Sequence, residues 1–328
     1  MLNKERLAES AIIQHFFSPS VSIGLSSVAI ILRKIPLPTD AVDLHSHSTA
    51  SDGTLAPAEV ARLAHRRGLS AWALTDHDTV AGIPEAQAEA RALGVDFLPG
   101  IEISAEYPHP GTMHILGYGI DPASPTLQSL TRQLIQGRDD RNPRIIARLN
   151  QLGVPITMEE VEDQAGGTVI GRPHIAAVLM RKGFVSSIKQ AFDKYLAPGG
   201  LAYFDKERLT PRQALEMIRE SGGISVLAHP VQLRTTNDGQ LERVIKDLKD
   251  LGLRGLEVMH SDHDAALVEK FGKLADHMGL LKTGGSDFHG GNKKDIDLGA
   301  ARGRRVPRAY YEALRDAIAR ANKTVTQP

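Results

Sequence analysis

The sequence of 328 residues contains no cysteine. Disulfide bonds, thiolate metal sites and cysteine nucleophiles are therefore excluded. A metal ion bound by this chain would have to take its ligands from histidine, aspartate and glutamate side chains.

The chain also lacks an excess of either charge, because 39 Lys and Arg residues balance 39 Asp and Glu residues. A neutral chain has no field of one sign that could hold a long polyanion. The composition therefore favours a small anionic substrate or a short strand of nucleic acid over duplex DNA.

No apolar run is long enough to cross a membrane. The longest, residues 21–32, is too short and is interrupted by Ser26 and Ser27. No clean cleavage site for a secretory signal follows this run, and Arg33 and Lys34 lie on the wrong side of it. We interpret the chain as a cytoplasmic protein without membrane contact, and its sequence indicates no obligate protein partner.

Residues 1–40 differ from the rest of the chain. They have no clear hydrophobic period, and Pro36 and Pro38 separate them from the first predicted core strand. We treat them as an N-terminal extension. Three explanations of this extension remain open: a disordered segment, an accessory helix, or a translation start that was assigned too far upstream.

From residue 41, predicted strands alternate with predicted helices. The strands cover residues 42–44, 70–75, 95–98, 101–104, 114–118, 224–227, 256–259 and 280–283, and helices cover residues 56–67, 83–93 and 211–220. Such alternation implies parallel pairing, and this number of units predicts an α/β fold with a closed barrel, formed by residues 41–123 and 206–328.

Residues 124–205 break the alternation. Helices are predicted at residues 127–135, 144–152, 158–164, 173–182 and 187–195. We interpret this segment as an α-helical insertion placed over one end of the barrel.

Two histidines, His45 and His47, end the first predicted strand, and Asp52 follows them. Residues i and i+2 of a strand point to the same face, so the two imidazoles project side by side. Imidazole and carboxylate are the usual ligands of zinc, manganese and iron. An isolated pair of this kind is weak support for a metal site.

Further histidines and acidic residues follow the later strands. The complete set is His45, His47, Asp52, His77, Glu102, His114, His229, Asp287 and His289. Each alone has a structural explanation as a polar strand-end residue bonded to the backbone. Nine at successive strand ends are hard to explain by coincidence, because loops and chemistry converge at this end of a parallel barrel.

These motifs resemble those of the PHP family, the polymerase-and-histidinol-phosphatase metal hydrolases. The resemblance runs from about residue 41 to residue 300. The motifs that carry it are Asp43 to Ser48 (DLHSHS), Thr75 to Asp78 (TDHD), Pro99 to Ser104 (PGIEIS), Leu227 to Pro230 (LAHP) and Gly285 to His289 (GSDFH). It implies a distorted (β/α)7 barrel with three divalent metal ions.

The resemblance also implies how the ligands divide among the ions. His45, His47, Glu102 and Asp287 would hold the first; Glu102, His114 and His229 the second; and Asp52, His77 and His289 the third. We expect manganese, while this ligand set also admits iron and zinc. Three such ions would neutralise a phosphate dianion and activate a water for attack on phosphorus.

The insertion, with the stretch Gly171 to Ala176 (GRPHIA), is similar to a subgroup of the family that acts on nucleoside 3′,5′-bisphosphates and on the 5′ ends of short RNA. A phosphoric monoester hydrolase of this type is our prediction. Two alternatives stay open: a histidinol-phosphate phosphatase, and a non-catalytic PHP module that binds metal.

Catalytic roles are predicted for His77, Glu102 and His263, the last as a proton donor or phosphate contact. Arg138, Arg172, His174 and His263 are predicted to bind substrate, and Arg141 could assist Arg138 in clamping a phosphate. For Arg138 and Arg141 a solvated helix end explains the sequence equally well. His260 could as readily pack in the interior.

Overall fold

The computed structural model describes residues 40–165, 167 and 169–325 of the chain. In this part of the chain the strands are β1 (Ala41–Asp43), β2 (Ala71–Leu74), β3 (Asp96–Ala105), β4 (Met113–Tyr118), β5 (Ile224–Leu227), β6 (Gly255–Met259), β7 (Leu281–Gly284) and β8 (Val306–Pro307). They form one sheet in the order β7-β6-β5-β4-β3-β2-β1-β8. The predicted N-terminal extension lies outside the described residues, apart from Asp40.

Backbone hydrogen bonds close this sheet between β1 and β7. The N–H of Leu44 donates to the carbonyl of Gly284 at 3.2 Å, and the N–H of His47 donates to the carbonyl of Phe288 at 2.9 Å. Strand β8 adds to β1 in antiparallel orientation. The predicted fold class, a distorted (β/α)7 barrel, is confirmed.

One strand departs from the predicted parallel pairing. β4 runs antiparallel to both β3 and β5. The cause is the connection between β3 and β4, residues 106–112, which is too short for the crossover helix that a parallel neighbour requires.

β3 is a single strand of ten residues, whereas the sequence predicts two strands separated at Pro99 and Gly100. Its first half pairs parallel with β2 and its second half antiparallel with β4. Gly100 marks the change of partner, since a Cβ atom there would lie 3.0 Å from the carbonyl oxygen of Leu74 and 3.2 Å from that of Gly117. The Pro-Gly pair therefore reflects a close approach of backbones rather than a turn.

The helices of the described chain are α1 (Pro57–Arg66), α2 (Ile83–Leu93), α3 (Pro125–Gln151), α4 (Met158–Ala165), α5 (Arg172–Arg181), α6 (Ile188–Ala191), α7 (Pro211–Glu220), α8 (Asp238–Asp250), α9 (Ala265–Met278) and α10 (Arg308–Val325). A π-helical turn, Phe192–Leu196, continues α6. None of the described helices is long and apolar enough to span a membrane.

Helices α3 to α6 share a hydrophobic core of their own, which includes Ile145, Val161, Ile175 and Leu179. A separate core fills the barrel, with Ile101, Leu116, Val226 and Leu256 among its buried residues. The segment predicted as an insertion therefore has the apolar interior that a folded unit needs.

Candidate metal centre

The structure brings all nine predicted ligands to one end of the barrel. His45, His47 and Asp52 follow β1, and His77 follows β2. Glu102 lies within β3 rather than at its end, and its side chain is fully buried. His114 is the second residue of β4, and it reaches the same end because β4 runs antiparallel.

Four ligand atoms surround one point at the centre of this cluster. Nε2 of His45 and Nε2 of His47 each lie 3.3 Å from Oε2 of Glu102. Oδ1 of Asp287 lies 3.6 Å from Nε2 of His45 and 3.3 Å from Nε2 of His47. Ligands about 2.1 Å from one ion lie roughly 3.0–3.4 Å apart, so these four atoms fit the first predicted ion.

The two oxygens of Glu102 face different sets of histidines. Oε1 lies 2.8 Å from Nδ1 of His114 and 2.9 Å from Nε2 of His229, whereas Oε2 faces His45 and His47. Burial raises the pKa of Glu102, but His77 and His114 outweigh burial and hold that pKa well below its usual range. An ionised carboxylate with both oxygens in use suits a bridge between two ions.

Asp52 gathers a third set of ligand atoms. Its Oδ1 lies 3.2 Å from Nε2 of His289 and its Oδ2 lies 3.9 Å from Nε2 of His77. Nδ1 of His77 lies 3.0 Å from Oε2 of Glu102, so His77 reaches both sets. His77 is placed between the central carboxylate and the third predicted site.

Several buried ligand atoms in the described chain have no hydrogen-bond partner. They are His45 Nε2, His47 Nδ1 and Nε2, His77 Nδ1, His229 Nδ1 and Glu102 Oε2. Burying polar atoms without partners is costly, and native structures rarely do so without a reason. Divalent metal ions supply that reason, and the donor set of imidazole nitrogens and carboxylate oxygens suits them.

Glu257 orients this cluster, and the sequence analysis did not identify it. Its Oε1 accepts from Nδ1 of His45 at 3.0 Å, and its Oε2 accepts from the backbone N–H of His229 at 2.8 Å. Burial raises the pKa of Glu257, but His45 and His260 outweigh burial and lower it to about 2. With its Nδ1 donating to a carboxylate, His45 presents a free Nε2 to the metal. A lone glutamate in the apolar strand β6 is the sequence signal that could have revealed it.

His260 also belongs to the cluster rather than to the apolar interior. Its Nε2 lies 3.3 Å from Oδ2 of Asp287, and its Nδ1 accepts from the N–H of Asp262 at 3.0 Å. His45, Glu257 and His260 form a further group that could hold an ion.

A cavity of about 180 Å³ opens beside Asp52, His77 and His114. We call it the basic cavity, because its lining includes Arg138, Arg141, Arg172, Lys206 and Arg208. Burial, reinforced by Arg138 and Arg172, lowers the pKa of Arg141 to about 9. Its guanidinium stays cationic at neutral pH, and the surrounding positive charge favours an anionic ligand.

Asp78 connects the barrel to this cavity. It has a positive φ of 57° and accepts from the N–H of Ser104 at 2.9 Å. Arg138 Nη2 and Lys206 Nζ both bind its Oδ2, Lys206 at 2.6 Å. Burial raises the pKa of Asp78, but Lys206 and Arg138 outweigh burial and hold it well below its usual range.

The predicted substrate-binding residues have different surroundings. Arg138 lies inside the continuous helix α3 rather than after a helix, and it lines the basic cavity. Arg172 also lines it, while its Nη1 donates to the carbonyl of Leu196 at 2.9 Å. Its guanidinium carbon lies 5.5 Å from the ring centroid of Tyr203 and 5.8 Å from that of Phe192.

His174 and His263 are buried away from the lining of the basic cavity, within the described chain. Nδ1 of His174 accepts from the N–H of Gly171 at 3.1 Å and so caps the start of α5. Nδ1 of His263 donates to the carbonyl of Val258 at 2.9 Å, and burial lowers its pKa to about 4. A neutral His263 is a poor proton donor, and the roles predicted for both residues stay predictions.

Comparisons with known proteins agree with this geometry. The chain is 36% identical over 262 residues to a 3′,5′-nucleoside bisphosphate phosphatase of Chromobacterium violaceum, covering 79% of this chain and 90% of the relative. It is 35% identical to a 5′-3′ exoribonuclease of Haemophilus influenzae, covering 76% of this chain and 90% of the relative. A solved structure from Bifidobacterium adolescentis is described as a metal-dependent phosphoesterase. Its superposition on this chain has a TM-score of 0.75 at 29% sequence identity and covers 85% of this chain and 96% of the solved chain.

The PHP domain model matches residues 43–261, which include seven of the nine predicted ligands. Asp287 and His289 lie beyond the match but contact residues within it. On the matched sequence and the barrel architecture together, the chain belongs to the PHP domain family.

Proposed function

We propose that this protein is a metal-dependent phosphoesterase that removes the 3′-phosphate of nucleoside 3′,5′-bisphosphates and also releases nucleotides from the 5′ end of short RNA. One observation carries the proposal: the cluster of metal-ligand side chains adjoins the basic cavity. A substrate with two phosphates fits both parts, with the reacting phosphate at the ligand cluster and the second phosphate among the cations.

The metal content that we propose is three divalent ions, with manganese as the expected metal. The ligand sets are those inferred from the family resemblance: His45, His47, Glu102 and Asp287; Glu102, His114 and His229; and Asp52, His77 and His289. Ions bound there would neutralise phosphate charge and acidify a water molecule.

The other side chains of the site bind and orient. Glu257 holds the ring of His45 in one tautomer, and Asp43 accepts backbone N–H bonds from Ser286 at 2.9 Å and Gly299 at 2.7 Å. Arg138, Arg141 and Lys206 surround the space for the second phosphate. A substrate fixed at both phosphates loses little further freedom on reaching the transition state.

The two proposed activities break the same kind of bond. In a 3′,5′-bisphosphate and in a 5′-phosphorylated RNA, water attacks the phosphorus attached to the 3′ oxygen of the first nucleoside. The P–O3′ bond breaks in both substrates, and the nucleoside 5′-phosphate is released. The two substrates differ in whether this phosphorus carries a further nucleoside.

A screen of phosphate and nucleotide release tests the proposal. Adenosine 3′,5′-bisphosphate, a short 5′-phosphorylated RNA and histidinol phosphate should be compared with manganese-loaded and metal-free protein. We expect turnover of the first two substrates, dependent on metal. Preferred turnover of histidinol phosphate, or none in the loaded protein, would contradict the proposal and support one of the two alternatives.

Substitution of Arg172 adds a test of substrate selectivity. Arg172→Ala should lower kcat/KM for the bisphosphate about ten- to a hundredfold and lower it little for a generic phosphate monoester, since a charge-assisted contact is worth roughly 1.5–3 kcal/mol. An equal fall for both would show that Arg172 supports the site through Leu196 instead of binding substrate. The cytoplasmic location and the absence of an obligate protein partner stay predictions.

A further inference from the structure

A second cavity, of about 240 Å³, opens on another side of the ligand cluster. Its lining consists of Asp52, His77, Pro173, Ile188, Phe192, His289, Asn292 and Lys293. We call it the apolar cavity, because Pro173, Ile188 and Phe192 contribute its hydrophobic wall. These three side chains line the cavity and are half-buried.

The apolar and basic cavities meet at the metal ligands. Both are lined by Asp52 and His77, and both are bordered by Pro173 and Phe192. A phosphate held at the ligand cluster therefore has an open space on two sides. A nucleoside bisphosphate, with one nucleoside between two phosphates, needs only one of these spaces.

The charge of the two cavities differs. Five cationic side chains line the basic cavity, whereas Lys293 is the cationic side chain among the residues lining the apolar cavity. The ammonium of Lys293 lies 2.5 Å from Oδ2 of Asp287, just as Arg138 and Lys206 contact Asp78, so the two cavities differ in the number of their cationic side chains. Asn292 is also engaged, since its Nδ2 donates to the carbonyl of Asp52 at 2.8 Å. The apolar cavity therefore suits a flat, uncharged group and not a second phosphate.

We infer that the apolar cavity binds the nucleoside that follows the scissile phosphate in a 5′-phosphorylated RNA. This inference rests on the proposed function. With the first nucleotide in the basic cavity, the following nucleoside must leave the ligand cluster by another path. Water attacks phosphorus, the P–O3′ bond breaks, the 3′ oxygen departs with a proton, and the phosphate remains on the 5′ oxygen of the nucleoside in the apolar cavity.

Phe192 and Ile188 would provide the contact surface for this nucleoside. An aromatic ring accepts any base by stacking, so the cavity would take RNA of any sequence. One side of the cavity belongs to the helical insertion and the other to the barrel, and the RNA would pass between them at the ligand cluster.

Kinetics on two matched substrates test the inference. Adenosine 3′,5′-bisphosphate lacks the following nucleoside, and the 5′-phosphorylated diadenylate pApA carries it. Ile188→Trp, which fills the cavity, should lower kcat/KM for pApA about tenfold or more relative to its effect on the bisphosphate. Lys189→Trp is the matched control, because Lys189 lies on the same helix with a side chain 84% exposed.

The absence of cysteine permits a direct binding measurement. Ile188→Cys and Lys189→Cys each introduce a single thiol, whose alkylation rate can be followed in the metal-loaded protein. The ligands are non-hydrolysable analogues of pApA and of the bisphosphate, with methylene in place of the bridging 3′ oxygen. We expect the pApA analogue to slow alkylation at position 188 at least several-fold more than the bisphosphate analogue, and neither analogue to protect position 189.

The outcomes separate this inference from the proposed function. A wild-type protein that hydrolyses neither substrate contradicts the proposed function. A protein that hydrolyses the bisphosphate but not pApA overturns the inference together with the RNA activity, and leaves the proposed bisphosphate phosphatase activity standing. Equal kinetic losses on both substrates in Ile188→Trp, or equal protection of position 188 by both analogues, also overturn it.

Discussion

At the scale of single residues, Glu102 connects the parts of the candidate metal centre. Its two oxygens face different histidines, and its side chain is fully buried. No other carboxylate of the predicted ligand set contacts as many of the described histidines. Its removal should therefore affect two of the three predicted ions.

We predict that Glu102→Gln abolishes turnover while the protein remains folded. The amide keeps the size of the side chain but loses the charge that a bridge between two cations needs. Elemental analysis should show loss of metal, and circular dichroism should show a native spectrum. Near-normal activity with full metal content would rule out the bridging role.

Lys206 is a second residue of interest, because it lines the basic cavity and contacts Asp78. Burial, reinforced by Arg138, lowers the pKa of Lys206 to about 7, although Asp78 opposes the shift. A lysine with a lowered pKa loses its positive charge as the pH rises through that pKa. Its contribution to binding a phosphate should therefore be present at pH 6 and lost toward pH 8.5.

The expected result is a pH-dependent effect of Lys206→Gln. At pH 6 the variant should have a KM for the bisphosphate about tenfold above that of the wild type, since one charged contact is lost. At pH 8.5 the two KM values should converge. Steady-state kinetics across this range decide the matter, and a constant ratio of KM values would show that Lys206 does not titrate there.

At the scale of elements, helix α3 carries Arg138 and Arg141 to the basic cavity. The sequence analysis predicts two helices here, at residues 127–135 and 144–152, and Gly137 and Pro143, which are helix-breaking residues, lie between them. The structure has one helix of 27 residues with Pro143 inside it. Buried residues on both sides of the proline, including Leu134 and Ile145, pack the two halves and override the local signals.

We predict that Pro143→Ala raises the free energy of unfolding by about 1–3 kcal/mol, because proline in a helix interior removes a backbone hydrogen bond and crowds the preceding turn. The arginines should stay in place, so kcat/KM for the bisphosphate should change less than about twofold. Urea denaturation and kinetics measure the two quantities. Gln136→Ala, on the same helix, serves as the control for a substitution that removes no proline. A less stable Pro143→Ala variant would mean that Pro143 itself is needed for the packing of the helix.

At the scale of the whole molecule, all the side chains assigned to the site lie between Asp43 and Lys293. The family match begins at residue 43, and β1 begins at Ala41. We predict that a variant lacking residues 1–38 retains metal binding, with activity and melting temperature nearly unchanged. Calorimetry and the bisphosphate assay compare it with the full chain. An insoluble variant, or one that melts much lower, would show that residues 1–38 contribute to the stability of the barrel.

The sequence by itself was sufficient to predict a metal site of histidine and carboxylate side chains and the order in which those side chains follow the strands. Histidines and carboxylates beside short apolar strands are local patterns, and the ends of parallel strands converge whatever the details of the helices between them. For the same reason the strand–helix alternation was sufficient to predict the barrel. The absence of cysteine limits the metal ligands of this chain to histidine, aspartate and glutamate, whatever its fold.

Only the tertiary structure decided which side chains support and extend this site. Glu257 meets His45 across 212 residues of sequence, and Lys206 meets Asp78 across 128. No local pattern encodes such contacts, because they arise when segments that are far apart in the sequence pack together. The continuity of α3 and the second cavity beside His289 likewise depend on packing between distant segments, and short-range sequence patterns do not determine such packing.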